Sequence, residues 1–210
     1  MYIVGVDFDN TLISYDDIVH RTAVQRGLLA PNVPKNKKII RDRIYALPHG
    51  ELQWQRLQAF LYGEGIKQAK VMDGVDAFFQ LCHQADIPIY IVSHKGDFAV
   101  EDKKGINLRK AALEWMRENK FFVKEGLGLS KQNVFFEFTR REKIDRIQKL
   151  HCTHFIDDLE EIFWEASFPA GVEKMLLAPL GSHACSDVTV FRSWQEIQKK
   201  FMDKKSLIKY

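Results

Sequence analysis

Residues 2–12 read Tyr2-Ile3-Val4-Gly5-Val6-Asp7-Phe8-Asp9-Asn10-Thr11-Leu12. The apolar run from Tyr2 to Val6 is short and rich in β-branched residues, which favours a buried strand over a helix. It stops at two carboxylates spaced two apart, Asp7 and Asp9. In a strand that spacing puts both on one face. In an open parallel sheet, ligands bind outside the carboxyl ends of the strands. The pair thus stands where such folds place chemistry. Two clustered carboxylates repel unless a cation or a proton holds them, which points to a divalent metal and an acid–base pair.

Reading outward, the strand pattern ends after Leu12. Ser14-Tyr-Asp-Asp17 has the form of a capping box with Ser14 as N-cap, opening a helix to about Arg26 that Gly27 ends. Helical patterns follow over 36–46 and 51–62, so residues 14–70 are expected to be all-helical, with no strand. From Asp73 the pattern alternates. Helices are expected at Val75 to Cys82, Leu108 to Trp115, Glu142 to Leu150, Glu160 to Ser167 and after Ser193. Strands are expected at Ile87 to Val92, Asn133 to Phe138, Thr153 to Ile156, Lys174 to Leu177 and Asp187 to Phe191. Apolar strands alternating with amphipathic helices specify an α/β fold, a doubly wound, mostly parallel sheet covered on both faces. The expected organisation is a core of residues 1–13 and 71–210 with a small helical cap, residues 14–70, inserted.

The chain has 210 residues, 46% of them hydrophobic, enough for a substantial core. Its net charge is +3, from 31 basic and 28 acidic side chains, too balanced to suggest nucleic acid. No 18-residue apolar run suggests a membrane span, and the immediate start of the first strand suggests no signal peptide. Cys82, Cys152 and Cys185 lack ligand spacing, and three cannot all pair. A reduced, cytoplasmic protein is expected. Oligomeric state is not readable.

Four segments carry polar groups at strand ends or a helix start: Asp7 with Asp9, Ser93, Lys143, and Asp157 with Asp158. In a parallel sheet these ends share one edge, so the groups can converge. At these residues the chain resembles the haloacid dehalogenase superfamily, mainly phosphatases. The resemblance rests on Asp7-Phe-Asp9-Asn-Thr11 after the first strand and on Ser93 closing Ile89-Tyr-Ile-Val. It rests also on a lysine opening a helix, matched by Lys143 with Arg140, Arg141 and Lys149 as alternatives nearby, and on Asp157-Asp158 after Phe155-Ile. It covers nearly all of the chain outside 14–70, and the family often inserts a helical cap there.

The resemblance implies a Mg²⁺-dependent phosphatase for a small phosphorylated metabolite. Asp7 would attack phosphorus and form an aspartyl phosphate, a known use of carboxylates. Asp9 would protonate the leaving oxygen and then activate water. Ser93 and Lys143 would bind phosphoryl oxygens. The Asp7 and Asp157 carboxylates and the Asp9 backbone carbonyl would hold the metal, with Asp158 orienting its waters. Dehalogenases of the superfamily lack the second acid, so Asp9 argues against dehalogenation. A phosphomutase using the same intermediate, or a non-catalytic binding module, are the alternatives.

Outside this set, His94 and Lys95 follow Ser93 and are candidates for substrate contact. So are the basic segment Lys35, Lys37, Lys38, Arg41 and Arg43, and the aromatic side chains Tyr15, Trp54 and Tyr62, although the Trp54, Leu57 and Leu61 stripe reads first as core of the cap. His151 and His154 sit at the start of their strand, away from its carboxyl end, and read as structural.

Overall fold

The computed structural model describes residues 2–181 and 186–206; Cys185 lies outside them. In chain order the elements are β1 (Val4–Val6), β2 (Ile13–Ser14), α1 (Asp16–Gln25), α2 (Lys37–Tyr45), α3 (Gly50–Tyr62) and β3 (Lys70–Val71). They continue with α4 (Val75–Gln84), β4 (Ile89–His94), α5 (Leu108–Glu118), β5 (Val134–Glu137) and α6 (Arg140–Lys149). The last are β6 (His154–Asp157), β7 (Glu173–Leu177), β8 (Val188–Phe191) and α7 (Trp194–Ser206). No helix among the described residues is long and apolar enough to cross a membrane.

The chain divides into two compact units. One comprises Met1–Leu12, Val71–His94 and Asn119–Tyr210; the other comprises Ile13–Lys70 and Lys95–Glu118. The first is a six-stranded parallel sheet among the described residues, in the order β5-β4-β1-β6-β7-β8, with helices packed on it. The fold is α/β, doubly wound. From β1 the chain builds outward through β4 and β5, then returns to β1's other side for β6, β7 and β8. The order therefore reverses at β1, the kind of switch point where such sheets bind ligands.

The central strands are buried on both faces, which is why they read as continuous apolar runs rather than alternations. Val4, Val6, Ile91, Phe155 and Ile156 are all fully buried. On one face Phe78 of α4 packs against Trp194 and Phe201 of α7, each at 5.1 Å between ring centroids. On the other, Ile144 and Ile147 of α6 join Val92, Phe155 and Leu176 in one apolar cluster. Gly5 pairs with Phe155 across β1 and β6. A Cβ at Gly5 would lie 2.5 Å from the Phe155 ring, so only glycine lets that ring cover the strand.

In the second unit α1 packs with α2 and α3, and α3 with α5. Ile18, Ile40, Ile44, Leu57, Leu61 and Trp115 are buried there, and Trp115 Nε1 donates to the Ala69 carbonyl at 3.1 Å. Gly27, at φ +69°, ends α1. The Leu28 N–H returns to the Ala23 carbonyl at 2.9 Å, the closing bond that a left-handed residue permits.

Several local expectations are corrected. Segment 14–70 is not free of strand at its ends: β2 and β3, of two residues each, pair with each other. Ser14 is not the N-cap of α1. It lies in β2, the cap position is Tyr15 without a side-chain cap bond, and the Ser14 hydroxyl accepts only from the Asp16 N–H at 3.4 Å. Segment 160–167 forms one 3₁₀ turn, Glu160–Ile162, rather than a helix. α6 begins at Arg140, earlier than expected, because Thr139 and Glu142 make a capping box. Thr139 Oγ1 accepts from the Glu142 N–H at 3.1 Å, and Glu142 Oε2 accepts from the Thr139 N–H at 3.0 Å.

Gly5→Ala should destabilise the protein by about 1–3 kcal/mol, the usual cost of overpacking a filled core. Urea denaturation at equilibrium measures this, with an unchanged slope expected. A variant as stable as the parent would show that the Phe155 ring can yield.

Candidate active site

Asp7 is the first residue past β1. Its N–H donates to the Ile156 carbonyl of β6 at 2.9 Å, continuing the ladder one step beyond the strand. Because Val6 pairs with Ile156, Asp7 stands level with Asp157, the last residue of β6. Level residues on neighbouring parallel strands project from the same face. Both carboxylates therefore face the helix that packs there, α6. Lys143 lies one turn into α6, held in place by buried Ile144 and Ile147. Its Nζ donates to Asp7 Oδ1 at 2.7 Å and to Asp157 Oδ2 at 2.6 Å. All three side chains are buried; Asp157 is 0% exposed, Lys143 3% and Asp7 5%.

The second oxygen of Asp157 accepts from the Leu159 N–H at 3.0 Å. Asp158 is gripped from β1's side. Asn10 Nδ2 donates to its Oδ2 at 3.2 Å, and Thr11 Oγ1 to its Oδ1 at 3.5 Å. Asn10 has φ +59°, a left-handed conformation that asparagine tolerates better than most residues. The Leu12 N–H closes the turn onto the Phe8 carbonyl at 3.0 Å. Trp194 Nε1 of α7 holds the same turn from below, donating to the Thr11 carbonyl at 2.8 Å. Asp7, Asp157 and Asp158 together offer one oxygen each within 4.8 Å of one another, the one acidic group of this kind among the described residues. Three hard oxygen donors suit a hard divalent cation.

The remaining candidates separate. Ser93, in β4, is 1% exposed and, by the register of Val6 with Ile91, stands level with Phe8. Asp9 lies past the end of β1, in the turn, and is partly exposed. Face alternation along a strand therefore does not govern its direction, and it is not among the three clustered acids. Arg140 pairs with Glu165 and Arg141 with Asp145, each at 3.1 Å, and Lys149 is exposed. Of the four basic candidates, Lys143 is the one bonded to the clustered acids. His94 is exposed. His154 packs edge-on to Tyr2, hydrogen-bonds Thr153 and has its Nε2 3.2 Å from Glu173 Oε2, at the opposite end of β6. The sequence reading did not single out Asn10 or Trp194. Asn10 carries a turn signal, whereas nothing local marks Trp194, which acts on a residue 183 positions away.

No family model matches the sequence, and no curated protein matches it significantly. Solved structures do match. One is a predicted phosphatase from Clostridium acetobutylicum, 12% identical, with a TM-score of 0.60, covering 96% of this chain and 98% of that one. Another is a HAD-family hydrolase from Deinococcus radiodurans with bound phosphate and sodium, 14% identical, with a TM-score of 0.56 and 97% and 96% coverage. A third is an L-2-haloacid dehalogenase, 11% identical, with a TM-score of 0.52 and 96% and 99% coverage. The fold is that of the haloacid dehalogenase superfamily.

In this haloacid dehalogenase fold the electrostatics follow from burial. Burial alone disfavours the Lys143 ammonium; the Asp157 and Asp7 carboxylates outweigh it and raise its pKa. Burial pushes the Asp157 carboxyl above the ordinary range, the Lys143 ammonium pulls it back, and the Asp7 charge adds to the rise. Three carboxylates against one ammonium leave the site formally short of positive charge, which a divalent cation would balance.

Lys143→Met should therefore lower metal-free stability by about 3–5 kcal/mol near neutral pH, because it leaves buried acids uncompensated. The sign is fixed by protonation. With the Asp157 pKa raised in the folded state, the native state of the variant binds more protons than the unfolded chain, so acid favours it. The deficit should shrink as pH falls from about 8 to about 5. Urea denaturation across that range is the measurement, and a pH-independent deficit would contradict the assignment.

Proposed function

We propose that this hydrolase-fold protein is a Mg²⁺-dependent phosphatase acting on a small phosphorylated metabolite through an aspartyl phosphate on Asp7. The observation that carries the reading is the buried Asp7–Lys143–Asp157 group with Asp158 beside it, at the carboxyl edge where the strand order reverses. Asp7, Asp157 and Asp158, with the Asp9 backbone carbonyl, would hold the cation. When bound, it supplies charge neutralisation for the phosphoryl oxygens.

The chain's own groups then have defined tasks. An Asp7 oxygen attacks phosphorus, and the bond from phosphorus to the leaving oxygen breaks. Asp9 gives that oxygen a proton. Asp9 next takes a proton from water, whose oxygen attacks the acyl phosphate; inorganic phosphate leaves and Asp7 returns as carboxylate. The Ser93 hydroxyl and the Lys143 ammonium donate to phosphoryl oxygens. Phosphate held by the Deinococcus structure supports this ligand chemistry. The second acid, Asp9, separates the reading from dehalogenation, which needs no leaving-group proton of this kind. The helical unit is proposed as the cap that reads the leaving group. Cys82 and Cys152 are buried cysteines, and a reducing, cytoplasmic setting is part of the proposal.

The test is a panel of phosphate monoesters with Mg²⁺, monitored by released inorganic phosphate. Asp7→Asn should lower turnover by at least about 10³-fold while remaining folded by circular dichroism, and excess chelator should abolish the parent's activity. Retained activity in either case rejects the mechanism. A phosphorylated isomer formed without phosphate release would favour a mutase.

Asp9→Asn should cost about 10²–10⁴-fold on alkyl phosphates, the range of general acid–base catalysis. The loss of the first chemical step should be smaller with p-nitrophenyl phosphate, whose leaving group needs little protonation. Single-turnover kinetics on both substrates checks this, and equal losses would remove Asp9 from the acid role.

A further inference from the structure

Asp158 follows the last residue of β6, so strand pairing does not fix it. The turn after β1 holds it instead. Asn10 Nδ2 lies 3.2 Å from its Oδ2 and Thr11 Oγ1 lies 3.5 Å from its Oδ1. Both contacts stand at or beyond the long end of the usual range, so a displacement of a few tenths of an ångström would loosen them. The hold on Asp158 is therefore only as accurate as the placing of the turn.

Three recorded bonds place that turn. The Leu12 N–H closes it onto the Phe8 carbonyl at 3.0 Å, and the Met72 N–H donates to the Leu12 carbonyl at 2.9 Å. Trp194 Nε1, from the first residue of α7, donates to the Thr11 carbonyl at 2.8 Å and is the shortest of the three. The indole is itself firmly seated. Trp194 is 1% exposed, and its ring meets Phe78 of α4 at 5.1 Å. A Cβ at Gly74, which has φ +92°, would lie 3.0 Å from the Trp194 Cβ, so glycine there lets α4 and α7 start side by side. All these residues belong to the sheet unit.

A buried indole N–H usually finds some acceptor, so the bond by itself could be packing alone. The identity of the acceptor argues for more. It is the carbonyl of the residue whose own hydroxyl contacts Asp158. Both groups branch from the Thr11 Cα, and a threonine side chain is stiff about its first torsion. Fixing the carbonyl therefore aims the hydroxyl.

We infer that Trp194 is a positioning residue for Asp158, acting through Thr11, and that it thereby sets the affinity of the acid cluster for a divalent cation. This rests on the reading of Asp7, Asp157 and Asp158 as the groups that hold the cation. Removing a partner bonded directly to a metal ligand typically costs about 10–100-fold in metal affinity. Trp194 stands one bond further out, so its loss should cost about 5–10-fold.

The test is Mg²⁺ binding to the full chain by calorimetry, without substrate. Trp194→Phe keeps an aromatic ring against Phe78 and removes the donor; it should weaken binding by about 5–10-fold. A benzothienyl isostere of tryptophan placed at position 194, with sulfur where the N–H was, should do the same, and it covers the case in which Trp194→Phe does not fold. Phe78→Leu loosens the same packing and leaves the indole N–H in place; its affinity should stay within about twofold of the parent's. Thr11→Val removes the hydroxyl and keeps the carbonyl, and should also weaken binding. Because Trp194 acts through Thr11, the double variant Trp194→Phe with Thr11→Val should lose less than the product of the two single losses. Parental affinity in the isostere, an equal loss in Phe78→Leu, or single losses that multiply in full overturn the positioning role. Release of phosphate from monoesters is measured separately. The expected binding pattern with no monoester turned over sinks the phosphatase reading alone. Turnover with Mg²⁺ binding unchanged by the Trp194 variants sinks the positioning role alone, and a parent that binds no Mg²⁺ sinks both.

Discussion

The ammonium of Lys143 between Asp7 and Asp157 is the contact on which the rest of the site depends. Two carboxylates side by side on adjacent strands, both shut off from water, repel each other with little screening. A single cation at 2.7 and 2.6 Å from them lets them stay charged and close. That geometry makes demands well beyond the three residues. β1 and β6 must be parallel and in register, so that Asp7 and Asp157 come out level. Phe155 must lie flat over Gly5 for the two strands to pack at that register. α6 must start where Thr139 caps it, so that its second turn brings Lys143 over the strand ends.

The same logic extends to the third acid. Asp158 follows Asp157 at the end of β6 and belongs to the loop beyond it, so it needs separate restraint. Asn10 and Thr11 provide that from the β1 turn, and Trp194 fixes the turn by its indole N–H. The Thr11 carbonyl is buried and would be left unsatisfied without that bond. A terminal helix thus helps define the position of a carboxylate in another part of the sheet. The result is a small, acid-rich site with one internal cation.

The sheet unit holds Asp7, Lys143, Asp157 and Asp158. Residues 95–118 group with the helical unit although they follow the motif-bearing strand β4. The chain therefore crosses into the helical unit immediately after Ser93 and His94.

Much of this was legible in the order of residues. Apolar runs of strand length ending in Asp7, Ser93 and Asp157 revealed the parallel sheet, because strands buried on both faces need continuous hydrophobicity and their carboxyl ends share one edge. Gly27 marked the end of α1 because its left-handed conformation is a local requirement. The Thr139 capping box was equally local, yet α6 was placed to begin at Glu142. Other features were beyond any local reading. The two-residue ribbon of β2 and β3 is too short for a periodic signal. The segment after Glu160 has helical spacing but forms only a 3₁₀ turn. The Trp194 bond to Thr11, the grouping of Lys95 with Tyr62, and the burial of Tyr15 depend on contacts between distant parts of the chain. By itself the sequence determined which residue types stand at the strand ends. Tertiary structure decided which of them meet, because register, helix start and long-range packing set the distances over which charges interact.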